Sequence, residues 1–447
     1  MKQIKMLLIT AFIITWYSTQ AQTIITVAGS GSSLLGDGGP ATDVRLGAPY
    51  GIAVDASGNL FIADQAANRV RKVNSVGIIS TAAGNGLDYE TGDGGPATAA
   101  IIGAPYGLAF DGAGNLYIAA VDSNYIRKIS TTGIITTIAG GNGIVYGGDG
   151  GPATAAGFHE VYDVVADNRG NIYVSDLQDS RIRKIDANGI ISTYAGTGVA
   201  GYNGDHMAAT TAQINLPRGL AVDDTGNVYV CDFTNNRIRK IDTFGMITTI
   251  AGDGGTTYPG DGGHATATSI HFPQGIATDH SGNIYITNGY YVRKVNTSGV
   301  INTIAGCDCS VVNSGDGGLA TAAELDDATG IRVGADGSIY ISDIVAHRVR
   351  KILPYVVHVG ITSPQPPPEE RELCVWPNPT SGAVTMQVNT TANEPVHVVV
   401  TNVLGQKVKE LTITTNTATK LQIKQPGIYF INAHTEREHW VVRVVVE

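Results

Sequence analysis

The seven residues GDGGPAT begin at Gly36, and the same seven return at Gly92 and Gly148. A carboxylate among glycines is a pattern that can do chemistry. Glycine lets backbone N–H groups converge on an anion, and an aspartate can hold a cation. The motif serves equally as a mechanical joint in which the aspartate bonds neighbouring backbone. Other chemically capable groups are scattered: His159, Glu160, His271 and Asp326 offer imidazoles and carboxylates, and Cys307 and Cys309 form a CDC. That pair is open to three readings: a strained disulfide, a metal contact or two unpaired thiols. Two thiolates with no further Cys or His nearby make a poor zinc site. Cys231, inside the apolar run VYVCD, reads as a buried small hydrophobe.

Spacing decides what positions these groups. The dipeptide GD recurs at Gly36, Gly92, Gly148, Gly204, Gly260 and Gly315, at intervals of 56, 56, 56, 56 and 55. A fixed period in six copies is the mark of a repeat architecture. Each copy carries four strand-like runs, in the first copy YGIAVD (50–55), NLFIAD (59–64), RVRKV (69–73) and GIISTAAG (77–84). The turn between the first two runs is DASGN, with counterparts DGAGN, DNRGN, DDTGN and DHSGN. Asp opens such a turn and Gly supplies its positive φ, and the alternating ligands of a calcium loop are missing. Four antiparallel strands in each of six units predict an all-β fold, a six-bladed β-propeller. The sixth copy ends after its third run, HRVRKI (347–352), and the missing fourth stands at the N-terminus as TIITVAG (23–29). Pairing those two runs closes a ring and removes an exposed sheet edge.

The unit PYGIAVDASGNLFIADQAANRVRKV resembles the NHL repeat, and six copies resemble an NHL propeller over 22–353. Propellers of that family serve as protein-binding, RNA-binding and lyase scaffolds, so the fold does not choose an activity. After a proline-rich linker at 354–372, the runs WPNPTSG (376–382), NVLGQKV (402–408) and PGIYFI (426–431) resemble the C-terminal sorting domain of type IX secretion. The alternating pattern there predicts a small β-sandwich over 373–447. The resemblance implies export across a bacterial outer membrane, removal of this domain, and release or surface attachment. The chain lacks the common basic end, finishing Val445-Val446-Glu447. Residues 1–21 read as a signal peptide: Lys2 and Lys5, an apolar core from Met6 to Ile14, and small residues at the cleavage site. No further apolar stretch is long enough to span a membrane as a helix.

Function is expected where the copies disagree. The residue that opens the first run is Tyr50, Tyr106, Tyr162, Arg218, Gln274 and Thr329 in turn. Three residues upstream stand Gly47, Gly103, His159, Asn215, His271 and Asp326, followed by Ala48, Ala104, Glu160, Leu216, Phe272 and Asp327. An aromatic arc beside polar groups at a channel mouth suits a sugar or peptide, and the same tyrosines could simply cap the channel. In the zinc-dependent lyase branch of the family, histidines and a carboxylate converge on a metal; here His159 and His271 belong to copies two apart. No metal or other cofactor is expected, and GxSxG is absent. The Arg-Lys pair of the third run recurs in every copy, which favours a structural role such as pairing with carboxylates of neighbouring turns. With net charge −10, the chain has no general attraction for nucleic acid. The sequence thus predicts a secreted or cell-surface protein that binds an extracellular glycan, peptide or protein. Alternatives are a metal-dependent lyase or hydrolase at the channel mouth and a structural surface or adhesion component.

Overall fold

The computed structural model describes the chain from Gln22 to Pro354, apart from 33–35, 89, 142, 144, 258–259 and 308–314, and most of 372–446. The expected signal peptide and nearly all of the expected linker lie outside the described residues. Two compact units are present, Met1–Tyr355 and Val356–Glu447.

In the first unit the repeats fold as antiparallel meanders, four-stranded in five sheets and extended in the fourth by the short edge strand Met207–Ala208, giving the repeated sheets of a propeller architecture. The first sheet comprises Pro49–Val54, Leu60–Asp64, Arg69–Val73 and Ile79–Ala83. Its opening turn forms for the reason the residues give: Asp55 Oδ1 accepts from the N–H groups of Ser57 and Asn59, both at 2.9 Å, and Gly58 takes φ +78°. Asp111, Asp167, Asp223 and Asp279 build the same turn. Second strands are buried along their whole length because each sheet is covered on both faces by its neighbours. The core is accordingly divided into seams. One contains Phe61 and Ala63 of the first sheet with Leu108 and Ile118 of the second; another sets Tyr340 and Val349 of the sixth against Ile52 and Leu60 of the first. The sixth sheet takes its outer strand from the N-terminus, as Ile24–Gly29 pairs antiparallel with Arg348–Ile352.

GDGGPAT is the joint between sheets. Pro40 opens a 3₁₀ turn over Ala41–Asp43 and bridges to Ile78, covering the free edge of the outer strand. The motif's aspartates were expected to bond backbone, and they do: Thr81 N donates to Asp37 Oδ2 at 3.1 Å. Each also pairs with the buried arginine of its own third strand. The distances are 2.5 Å for Asp37–Arg71, 2.7 Å for Asp93–Arg127, 2.5 Å for Asp149–Arg183, 3.0 Å for Asp205–Arg239, 3.1 Å for Asp261–Arg293 and 2.7 Å for Asp316–Arg350. The adjacent lysine turns the other way and lies over the aromatic ring of the second strand, as Lys72 does on Phe61 and Lys128 on Tyr117. Both halves of the recurring Arg-Lys pair are thus structural. Cys307 is disulfide-bonded, which removes it as a metal ligand, and Cys231 is a free buried thiol.

The second unit packs a three-stranded sheet and a four-stranded sheet around Val384, Met386, Val398, Val400 and Ile431. Among the described residues no helix is long and apolar enough to cross a membrane.

Candidate functional site

The inner strands Pro49–Val54, Pro105–Phe110, Val161–Ala166, Pro217–Val222, Gly275–Thr278 and Ala328–Val333 are first in their sheets and lie beside one another. Five begin with a register shift that leaves two residues unmatched, in the first sheet between Pro49 and Ile52. A bulge of this kind re-aims a side chain. Here it turns the rim residue to the mouth and sets the following residue against the next inner strand. A Cβ on Gly51 would fall 2.1 Å from Tyr106 O, one on Gly219 2.6 Å from Gln274 O, and one on Gly330 2.3 Å from Tyr50 O. Glycine at this position follows from close backbone approach.

The rim residues make one chain of contacts. Tyr50 stacks on Tyr106 with centroids 4.1 Å apart, and Tyr106 meets Tyr162 edge-on at 5.4 Å. The Arg218 guanidinium lies 5.3 Å from the Tyr162 ring and donates to Gln274 Oε1 at 2.7 Å; Gln274 Nε2 donates in turn to Asp327. Burial pushes the hydroxyls of Tyr106 and Tyr162 well above the ordinary tyrosine pKa. The cavity that Tyr50, Tyr106, Tyr162 and Gln274 line holds only about 30 Å³, room for about two water molecules. The tyrosine faces are spent on one another.

A second pair, missed in the sequence, closes the axis below them. Asp163 stands where five copies have glycine, and Arg332 where the others have alanine or valine. These two departures meet across the channel, with Arg332 Nη2 4.0 Å from Asp163 Oδ1. Arg332 Nη2 also donates to Leu108 O at 3.1 Å, and Leu220 N to Asp163 Oδ2 at 2.8 Å. Burial raises the Asp163 pKa, and Arg332 and the backbone donors oppose that rise. Arg332 borders both the small cavity and a larger one of about 220 Å³ beyond it, lined by Ala53, Ala109, Val165 and Ala221. It therefore stands between the two cavities.

Off the axis, the four other expected residues are not brought together. His159 Nδ1 lies 3.8 Å from Asp179, Glu160 accepts from Gln178 Nε2 at 2.9 Å, His271 packs on Phe272 at 4.2 Å, and Asp326 N is held by Asp343. Among the described residues no three His, Cys, Asp or Glu side chains are placed to hold a metal. What the structure does assemble is an aromatic column: the Arg218 guanidinium stacks on Phe233 at 3.5 Å, and Phe233 on Phe272 at 4.8 Å and 20°. Phe272 is 41% exposed and takes φ +47°, where a bulky residue is strained. Its N–H is held by Asn236 Oδ1 at 2.9 Å, from the preceding sheet. Glu160 (φ +77°) and Asp327 (φ +71°) share that backbone state, and Asn124 secures Glu160 in the same way. In the second sheet the matching place holds Glu90 near Gly103; burial pushes its carboxyl up to about 8. Phe233 stands where other copies have Gln65, Val121, Leu177 and Ile344, so comparison of the copies at the end of the second strand would have found it; Glu90 lies in a stretch that the copies do not share.

Comparison with known proteins matches this geometry to a sequence family. Residues 26–89, 85–147, 198–259 and 253–313 match the Teneurin NHL domain family, together more than half of the chain, and 374–447 match the secretion system C-terminal sorting domain. The chain therefore belongs to the NHL-repeat proteins of teneurin type and ends in a secretion sorting domain. Teneurin-1 of Mus musculus is 27% identical over 396 residues, 77% of this chain and 14% of its own; teneurin-3 of Mus musculus is 32% identical over 232 residues, 46% and 8%. The chain thus spans about a seventh or less of the length of these relatives. Among solved structures, an auxiliary nutrient binding protein from Bacteroides ovatus has a TM-score of 0.54 at 16% identity, covering 75% of this chain and 77% of that one. Another from Bacteroides thetaiotaomicron has 0.53 at 13%, covering 74% and 76%. At such identities the likeness is one of fold. The sorting domain marks the chain for type IX secretion and an extracellular or surface location.

Proposed function

We propose that the six sheets close as a six-bladed propeller over 22–353, exported by means of a signal peptide at 1–21 and the sandwich at 373–447. Its loop-bearing face binds an extracellular glycan, peptide or protein without chemistry. Closure is supported by contacts that run on from the sixth sheet to the first: Ser342 Oγ donates to Tyr50 O, and His347 Nδ1 lies 2.7 Å from Gly47 O.

The observation that carries the binding reading is the Arg218–Phe233–Phe272 column. It presents an exposed aromatic face at a position where other copies carry glutamate, leucine or aspartate in the same positive-φ backbone, so the backbone belongs to the repeat and the exposed phenyl ring does not. Glu160 and Asp327 flank the mouth as hydrogen-bond acceptors. The tyrosine arc, closed on itself, is the support of this surface. Glycan and peptide arrays probed with wild type, Phe272→Ala and Tyr106→Ala test the reading. Phe272→Ala is expected to weaken the best hit about tenfold, the loss of about 1.4 kcal/mol typical of an anchoring aromatic. If both variants keep every hit at wild-type strength, the mouth face is not the site. Deleting 373–447 is expected to hold the protein in the periplasm, read by fractionation; unchanged export would remove the sorting role.

A further inference from the structure

We propose a second binding site, independent of the mouth, in the cleft between the sixth and first sheets at the opposite end of the strands; its ligand is a neutral polyhydroxylated ring of sugar type. In four copies the tyrosine of the second strand donates its hydroxyl to the aspartate of the turn before it. The distances are 3.0 Å for Tyr117–Asp111, 3.2 Å for Tyr173–Asp167, 2.9 Å for Tyr229–Asp223 and 2.9 Å for Tyr285–Asp279. Each such tyrosine packs toward the next sheet, so the bond seals the seam. In the first copy Phe61 replaces tyrosine and fills its seam by meeting Phe110 edge-on at 5.0 Å.

The seam from sixth to first has neither device. Gly334 occupies the aspartate's place, so Tyr340 is left without that acceptor. A cleft of about 710 Å³ opens there, within the range of small-molecule sites. Its walls are apolar at Val54, Leu60 and the Tyr340 ring, and polar at Asp55 and Ser57. Lys351 covers the Tyr340 ring at 5.0 Å and pairs with Asp336 at 3.3 Å, so its charge is already answered and a ligand anion would have to displace a carboxylate. An apolar wall with hydroxyl, carboxylate and ammonium groups at its edge offers donors and acceptors together. A neutral polyol can use the Ser57 hydroxyl and the spare lone pairs of Asp55 and Asp336 together, whereas a purely apolar ligand would only strip water from them.

Titration calorimetry of the full chain with glucose, galactose, mannose, cellobiose and lactose tests the site, with glucuronate as the anionic control. At least one neutral sugar is expected to bind, and Tyr340→Phe and Gly334→Asp are each expected to weaken it at least tenfold, while Phe272→Ala leaves it unchanged. Gly334→Asp restores the acceptor and fills the cleft; if it does not fold, Tyr340→Phe decides alone. Absence of heat with every neutral sugar, equal binding of glucuronate, or binding indifferent to Tyr340→Phe would overturn the proposal. Loss of the sugar in Phe272→Ala with no loss in Tyr340→Phe would return the ligand to the mouth, and that too defeats the second site.

Discussion

Six arginines at the outer joints and six residues at the channel mouth come from the same repeats. At the joints all six copies give one answer: a buried guanidinium paired with the aspartate of the GD dipeptide, which in five copies is also seen to accept a backbone N–H. At the mouth no two halves of the ring agree, with stacked tyrosines on one side and Arg218, Gln274 and Asp327 on the other. The joint must satisfy identical geometry six times, so any departure costs stability. The mouth has no such demand, because the inner strands are already held by their seams. Repetition therefore reports on folding, and variation within a repeat reports on what each copy is free to do.

Breaking a joint is expected to give the largest effect, and the joints are not equal. Arg239 has a second carboxylate, Asp232, at 3.3 Å, whereas in the second sheet Ala120 takes that aspartate's place; the other carboxyl that acts on Arg127, Glu90, is pushed up to about 8 by burial, so at neutral pH Asp93 is its main ionised partner. Asp93→Ala leaves a buried cation with its main partner gone and is expected to cost about 3 kcal/mol, and Asp205→Ala only about 1–2 kcal/mol. Urea unfolding of the two variants checks the order. Equal losses would mean that the second carboxylate contributes nothing.

The Asp163–Arg332 pair is the inner strands' own departure from repetition, and it should yield to restoration of the repeat. Arg332→Ala strands Asp163 and is expected to cost about 2 kcal/mol at neutral pH. The double variant Asp163→Gly with Arg332→Ala returns both positions to the residues of the other copies and is expected to cost less than either single change. The pH dependence has a definite sign. Burial already raises the Asp163 pKa, so the folded state holds the proton more tightly than the unfolded one, and this group's contribution falls as pH rises above the ordinary aspartate range. Without Arg332 that fall extends to higher pH, so Arg332→Ala should lose more at about pH 8 than at about pH 4, and the double variant should show no such difference. Melting temperatures across that range decide it. A double variant less stable than both singles would show that the pair is not the unit described.

The repeats, their four strands, their turns and the pairing of the N-terminal run with the sixth sheet were legible because Asp, Asn and Gly recur where the backbone needs them. The five residues from Tyr50 to Gln274 that open their inner strands lie in one chain of contacts, as their shared place in the repeat implies. Their contacts were not legible, since whether neighbouring tyrosines splay or stack depends on how closely the inner strands approach. Asp163 and Arg332 could have been found by extending the same comparison of copies one and three residues further. That they meet each other could not, because which inner strands face one another is not written in the spacing of the repeats. His159, His271 and Asp326 share a position in the repeat and Glu160 holds the next one, but a shared position gives each sheet one such side chain instead of gathering them.

The smallest change expected is at Phe272, and it separates the two rules most cleanly. A residue retained for folding should lose stability when replaced. Phe272 has φ +47° and 41% exposure, so glycine there relieves backbone strain and gives up little buried surface. Phe272→Gly is expected to leave stability unchanged or raise it by about 0.5 kcal/mol, the gain in native backbone being offset by a more flexible unfolded chain. The same variant should lose the ligand found with wild type, as Phe272→Ala does. The stack on Phe233 is worth about 0.5–1.5 kcal/mol beyond burial and is the term that could reverse the sign. Unfolding in urea and array binding, measured on one preparation, distinguish the cases. A clear loss of stability with binding intact would assign Phe272 to the fold, and the axis would then follow the same rule as the joints.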